Sequence, residues 1–496
     1  MIKENQRHVT VAGRLAKNSI FVFFARITDL LVALISTALI ARYLNVTDFG
    51  NFAFVMAITI FLIPLTDFGF ERILTREIAK DMKKADKYFG SAIIARVFLS
   101  MLIILVIYTL TLYFDWDRKV VKALYISTIT QLITSMGMLA IGVFRAFEKM
   151  EYELFLNFIL NIIYFITIIC AIKFDFGFLS IFGARFLATF IYVFILAAVT
   201  VRKFIKPSLT FDFSLMKYLF KEALPLGIFA FLLTASFKVD VFVLNYFKGP
   251  DDVSLFEAAH RVIMQLQAIP TAIVISIFPY LSRLAGESGD TLSFAFNKFF
   301  KLMLIMSLPF SILLIFMSDI IISILYSETF SAASKSLSIL SFTVLFLFLI
   351  SLQSFALVSK GKQVLNTISA GGCFVLNLVL DIVLVPRYGF IGASYATLIS
   401  YIVFFCFSFY FVSRIIGMPP IGEVLPKPLI STGVMAGFFF VLYKGNNGII
   451  VRGVEGVLLL VIYIVMIFVL KTFKSDEISI AKRIFLRQKL DKGIET

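Results

Sequence analysis

Long apolar runs alternate with short polar ones along almost the whole chain. Each apolar run comes close to the roughly 20 residues that cross a bilayer as a helix. About fourteen candidate spans follow: 15–41, 49–70, 89–113, 120–144, 152–173, 177–201, 223–247, 253–279, 292–317, 336–358, 363–385, 390–413, 425–443 and 450–470. The segments between them are short, and no soluble domain fits. The pattern predicts an all-α polytopic membrane protein. Its first hairpin, Leu15 to Arg76, shows the logic: an apolar run, a polar elbow from Arg42 to Gly50, and a second run ending at Asp67-Phe68-Gly69-Phe70. Arg26 and Asp29 lie near the middle of the first run. Charge at that depth is costly and usually faces a protein interior or a wet cavity.

Composition agrees with the pattern. Of 496 residues, 60% are hydrophobic and 16% charged, against roughly 45–50% and 25% in soluble chains. The net charge of +15 could serve nucleic acid, but the basic residues sit in short loops and the tail, so no nucleic-acid partner is expected. With the N-terminus in the cytoplasm, about 31 of the 46 Lys and Arg fall inside, about 10 outside and about 5 within spans. That bias is a positive-inside signature and puts both termini in the cytoplasm. Trp116, after the third span, fits an outer-interface anchor. Cys170, Cys373 and Cys406 lie in apolar runs with no ligand spacing, so they point to no metal or cofactor. Met1–Lys17 is polar and basic and the run after it is too long for a signal-peptide core, so the first helix is expected to be its own insertion signal.

The second half echoes the first. Tyr43-Leu44 to Phe52-Ala53 resembles Tyr246-Phe247 to Phe256-Glu257, and Phe176-Gly177-Phe178-Leu179 resembles Tyr388-Gly389-Phe390-Ile391. Both pairs are offset by little more than two hundred residues. Two parallel six-span lobes follow, 1–206 and 207–418, with two further helices over 419–472 and a basic cytoplasmic tail at 473–496. Such halves place substrate at their interface. Pro270 falls within a span and kinks it; Pro225 suits a first helical turn.

The charges inside spans are the candidate functional residues. Arg26 and Asp29 share a helix face. Arg96 lies about two turns into the third span, where it can also snorkel to the interface. Arg185 lies about two turns into the sixth. Lys238 and Asp240 are two apart and face different ways, so each needs a partner from another helix. Glu257 and Arg261 are four apart and can pair, with His260 beside them as a residue able to titrate. Basic residues predominate, and a cavity lined by Arg26, Arg261, Lys238, Arg185 and Arg96 suits an anion, with Arg matching phosphate in geometry. Asp29, Asp240, Glu257 and His260 are the candidates for ion coupling. A binder buried in lipid points to a phosphate-bearing lipid. No P-loop, zinc spacing, Gly-x-Ser-x-Gly motif or large outer loop is present, so catalysis is not expected.

Ala41-Arg42-Tyr43-Leu44 with Asp48-Phe49-Gly50, Asp67-Phe68-Gly69-Phe70 leading to Thr75-Arg76-Glu77-Ile78-Ala79, Phe144-Arg145-Ala146-Phe147-Glu148-Lys149-Met150, and Tyr388-Gly389-Phe390-Ile391-Gly392-Ala393 with Ala396-Thr397 together resemble the motifs of polysaccharide-biosynthesis flippases. The order resembles that of Wzx-type flippases in the multidrug/oligosaccharidyl-lipid/polysaccharide exporter superfamily. Asn45-Val46 departs from the Gly-Pro of many relatives. The resemblance implies two six-helix lobes around a cationic cavity with alternating access. It implies a bacterial inner-membrane protein that moves undecaprenyl-pyrophosphate-linked oligosaccharide, such as an O-antigen unit. H+ or Na+ is implied as coupling ion and polysaccharide polymerase machinery as partner. A lipid II flippase fits the same residues. A cation-coupled multidrug antiporter would want an acidic cavity instead, a membrane glycan polymerase a large outer loop, and a structural scaffold would not need the interior charges.

Overall fold

The computed structural model describes residues 32–208, 212–284, 289–442 and 448–472. Among them the chain is helical, with no strand. The expected first span enters only through its end, α1 (Val32–Tyr43). Then come α2 (Val46–Asp67), α3 (Phe70–Lys80), α4 (Ala85–Tyr113), α5 (Arg118–Ala146), α6 (Met150–Lys173) and α7 (Phe178–Lys203). The chain continues through α8 (Phe213–Ser236), α9 (Val239–Phe247), α10 (Pro250–Leu266), α11 (Ala268–Leu284) and α12 (Gly289–Phe316). It ends with α13 (Ser318–Leu325), α14 (Ala333–Ser341), α15 (Thr343–Ser359), α16 (Gln363–Ile415), α17 (Ile421–Val424), α18 (Pro426–Leu442) and α19 (Ile449–Val469).

Ten helices among the described residues are long and apolar enough to cross a membrane, or eleven if the bent pair α14–α15 is one span. The difference from fourteen has local causes. Most of the first span lies outside the described residues. The seventh is broken into α8 and α9 at Phe237–Lys238. The eleventh and twelfth run together as α16, two helices joined without a loop at Gly389 (φ 57°, ψ −137°). That backbone excludes a side chain twice over: φ is left-handed, and a Cβ there would stand 2.8 Å from Asp252 Oδ2.

Two compact units form. The first holds the chain through Ala268 together with Leu325–Ser336 and Thr367–Ser400; the second holds Ile269–Ile324, Leu337–Asn366 and the chain from Tyr401. In the second, Met435, Phe439, Leu459, Tyr463 and Ile467 pack on Ile305, and Tyr463 donates to the Ile305 carbonyl at 2.7 Å.

Most of the motifs serve the first unit as joints. Asn45 caps α2: its side chain accepts from Asp48 N at 2.7 Å, and Asp48 adds charge where the helix dipole favours it. At the other end Phe68 (φ 51°) and Gly69 (φ 86°) break the helix. Asp67 closes the break by accepting from Gly69 N at 3.2 Å and Glu71 N at 3.4 Å. Arg145 is forked on Glu153, at 2.9 and 2.6 Å, and also bonds Glu71. Thr75 bonds the Gly142 carbonyl at 3.1 Å. These contacts tie α3, α5 and α6 over a core of Phe70, Ile73, Leu74, Leu139 and Val143. The link into α8 is pinned too. Lys206 N donates to Asp86 Oδ1 at 2.9 Å, Ser208 N to the Asp86 carbonyl at 3.1 Å, and Lys87 pairs with Asp212 at 2.8 Å.

Candidate functional site

The break between α8 and α9 leaves Lys238 at the start of α9, with Asp240 in the first turn. On one side Lys238 Nζ lies 2.6 Å from Glu257 Oε1 on α10. The other oxygen, Oε2, accepts from Arg261 Nε at 3.0 Å, one helical turn on. Glu257, with only 1% of its side chain exposed, thus sits between two cations. A buried carboxylate needs such partners, since an unpaired one would carry its full desolvation cost. Arg261 also donates from Nη1 to Thr37 Oγ1 at 3.2 Å and lies over the rings of Phe49 and Phe52, at 5.9 and 5.6 Å. Its head borders a small cavity lined by Leu34, Thr37, Ala38, Gln265 and Tyr326. His260 stacks on Phe256 at 5.2 Å between ring centres.

On the other side Asp240 Oδ1 accepts from Asn377 Nδ2 at 2.8 Å and Thr397 Oγ1 at 3.0 Å. Asn377 Nδ2 also reaches Asp381 Oδ2 at 3.2 Å. Asn377 and Asp381 stand on the limb of α16 before Gly389, Thr397 on the limb after it. All four side chains are buried, and Asp381 Oδ1 is buried with no hydrogen-bond partner among the described residues. The cluster therefore holds two carboxylates bridged by one amide NH2, with one Asp381 oxygen left as unmet acceptor capacity. Hard cations and protons take such oxygens.

The structure brings Lys238, Glu257, His260 and Arg261 into one neighbourhood and Asp240 into another. The expected Glu257–Arg261 pair is present, and Lys238 and Asp240 each find partners on other helices. Arg96 stands elsewhere: fully buried, it bonds Asp67 through Nη2, while its Nε and Nη1 find no partner among the described residues. The guanidinium of Arg185 lies over the Tyr164 ring at 4.7 Å. Arg26 and Asp29 lie outside the described residues. Asn377, Asp381 and Thr37 are not among the residues the sequence singles out, and Thr397 enters there only as part of a motif. One signal was available: Asp381 is a charge inside an apolar run, with Asn377 four residues before it on the same face.

Two family models match the chain. That of the polysaccharide biosynthesis proteins covers residues 15–285, and the MatE model covers 225–383. An uncharacterised membrane protein of Methanocaldococcus jannaschii is 28% identical over 300 residues, 58% of this chain and 57% of that protein. The match thus spans little more than half of that relative's length. The probable low-salt glycan biosynthesis flippase Agl15 of Haloferax volcanii is 26% identical over 447 residues, 86% of this chain and 90% of its own. Among solved structures, the lipid II flippase MurJ in an inward closed conformation superposes with a TM-score of 0.78 at 18% identity, covering 91% of this chain and 98% of MurJ. That likeness is one of fold. The chain, a multi-pass membrane protein, belongs to the polysaccharide biosynthesis protein family of the multidrug/oligosaccharidyl-lipid/polysaccharide exporter superfamily.

Proposed function

We propose that the chain is a flippase for a lipid-linked oligosaccharide whose polyprenyl carrier ends in pyrophosphate, working by alternating access. The observation that carries this reading is the Lys238–Glu257–Arg261 cluster beside the small cavity. Two cations on one carboxylate leave an excess positive charge, which suits an anion. Guanidinium and ammonium groups are the usual partners of phosphate. Family membership and the flippase named among the relatives support the same class of substrate. Arg261 and Lys238 make the first phosphate contacts in this reading, with Arg26 and Arg185 behind them. Arg96, held by Asp67, serves the packing of α4. In a bacterium the carrier is undecaprenyl pyrophosphate and the glycan an O-antigen or similar unit; lipid II carries the same head-group chemistry. Both termini face the cytoplasm by the distribution of basic residues. The glycan crosses between the halves 1–206 and 207–418 while the lipid tail stays in the bilayer.

The second element of the reading is coupling. Asp240, Asp381, Asn377 and Thr397 form the site for the driving cation, H+ or Na+, and the unmet Asp381 oxygen favours this role. The multidrug antiporter reading would need acidic groups where Lys238 and Arg261 stand.

A reconstituted flipping assay tests the function. Purified protein enters liposomes with a fluorescent polyprenyl-pyrophosphate oligosaccharide, and leaflet exposure is followed with and without a pH or sodium gradient. Protein-dependent flipping that falls at least tenfold in Arg261→Ala is expected. Flipping by Arg261→Ala and Lys238→Ala at the wild-type rate would remove the phosphate assignment. Uptake of a cationic drug with no lipid flipping would replace it with the antiporter reading.

A further inference from the structure

Glu257 occupies the positions that the proposed substrate needs. Both of its oxygens are engaged, one by Lys238 Nζ and one by Arg261 Nε. Its side chain is 1% exposed, whereas Lys238 and Arg261 are 14% and 22% exposed. The cavity is lined by Arg261 and not by Glu257, and Lys238, outside that lining, is more exposed than the carboxylate it bonds. An anion arriving beside Arg261 competes with Glu257 for the same two groups. Pyrophosphate brings more charge and more acceptor oxygens than one carboxylate. Lys is the easier partner to exchange, since its ammonium swings on a flexible stem with three rotatable donors. Lys238 is also the residue at the helix break, so its change of partner acts on the joint between α8 and α9.

Resting on the anion-site reading above, we infer that Glu257 is a resident counter-anion, displaced from Lys238 and Arg261 by the substrate's phosphates on entry. Displacement unties the start of α9 from α10, and the return of the carboxylate expels the product. Glu257 is then a positioning residue with two effects of opposite sign: it weakens binding and speeds release. A fixed scaffold residue would have neither effect.

The test measures binding of farnesyl pyrophosphate to the full-length protein in detergent by titration calorimetry, together with the flipping rate in liposomes. Glu257→Gln is expected to bind the probe about tenfold tighter, about 1.4 kcal/mol, and to flip more slowly. Equal or weaker binding by Glu257→Gln, with Lys238→Met and Arg261→Ala both weakened, makes Glu257 a fixed support; the inference fails and the flippase reading stands. Wild-type binding by Arg261→Ala fails the anion site itself. Should Glu257→Gln not fold, Lys238→Met is compared with Lys238→Met/Glu257→Gln, which removes the pair and leaves uncharged side chains of similar size. Tighter binding by the double variant supports displacement, and equal binding overturns it.

Discussion

Lys238 and Asp240 are two residues apart and belong to different clusters: Lys238 lies 2.6 Å from Glu257 Oε1, while Asp240 accepts from Asn377 at 2.8 Å and Thr397 at 3.0 Å. The first turn of α9 thus carries a cation toward one site and a carboxylate toward the other. If the two sites are coupled, the coupling is reciprocal in binding free energy. Asp240→Asn and Asp381→Asn are expected to abolish stimulation of flipping by a cation gradient while changing pyrophosphate affinity less than Lys238→Ala does. Rates with and without the gradient, set beside calorimetric affinities, check this. Gradient stimulation that survives in both Asn variants removes the coupling role.

Arg96 is wholly buried and its guanidinium bonds the Asp67 carboxylate. Removing one member of a buried pair leaves the other charged and unpaired, at a cost of about 3–5 kcal/mol. Asp67→Asn keeps only one of the two oxygens that accept from Gly69 N and Glu71 N, so it removes the charge together with one of those bonds. It is expected to lower the melting temperature in detergent, and Asp67→Asn/Arg96→Met to recover most of the loss. A double variant no more stable than Asp67→Asn would show that the pair matters little to α4.

Gly50 lies against the start of α10. A Cβ at this position would stand 1.8 Å from the Pro250 carbonyl oxygen, closer than any contact allows. Gly50→Ala must therefore part α2 from α10. Phe49 beside it is fully buried, packed on Phe330 and Tyr326. A cysteine in place of Phe49 is expected to be inert to a membrane-impermeant maleimide, and to label several-fold faster once Gly50→Ala is added. Unchanged labelling would mean that the two helices give way without opening.

Outside the spans, Asp212 holds its proton less tightly than an ordinary aspartate, chiefly because Lys87 bonds its carboxylate and Leu215 N donates to it. The folded value is lowered below 3.8, so the stabilisation is complete above the ordinary range and fades as pH falls through the lowered value. Acid is expected to loosen the link before α8, and Lys87→Ala to loosen it already at neutral pH. Amide exchange over residues 204–208 follows both; exchange in Lys87→Ala that matches wild type would remove the pair's role.

Much of this was legible from sequence because hydropathy and helix periodicity are local properties. The runs placed the helices, the Asp-Phe-Gly and Tyr-Gly-Phe motifs marked breaks, and the spacing of Glu257 and Arg261 gave their pair. What stayed hidden depends on distant chain segments. The spacing of Lys238 and Asp240 calls for a partner from another helix for each, but nothing in the pattern names Glu257 or Asn377 as those partners. Arg96 shows the same limit: snorkelling and burial look alike until Asp67, 29 residues earlier, is seen to meet it.

The partners of Asp240 have a consequence in time. Asn377 and Thr397 follow it by 137 and 157 residues. At about 5–20 residues per second, a ribosome takes about 7–30 s to reach the first of them. Through that interval α9 has already emerged, yet the groups that satisfy its carboxylate do not exist. The growing chain must therefore keep Asp240 near water or in the insertion machinery until α16 arrives. Completion of this cluster is a late step of assembly, and a chain cut short before α16 would leave a polar residue stranded in lipid, a mark by which quality control can recognise it.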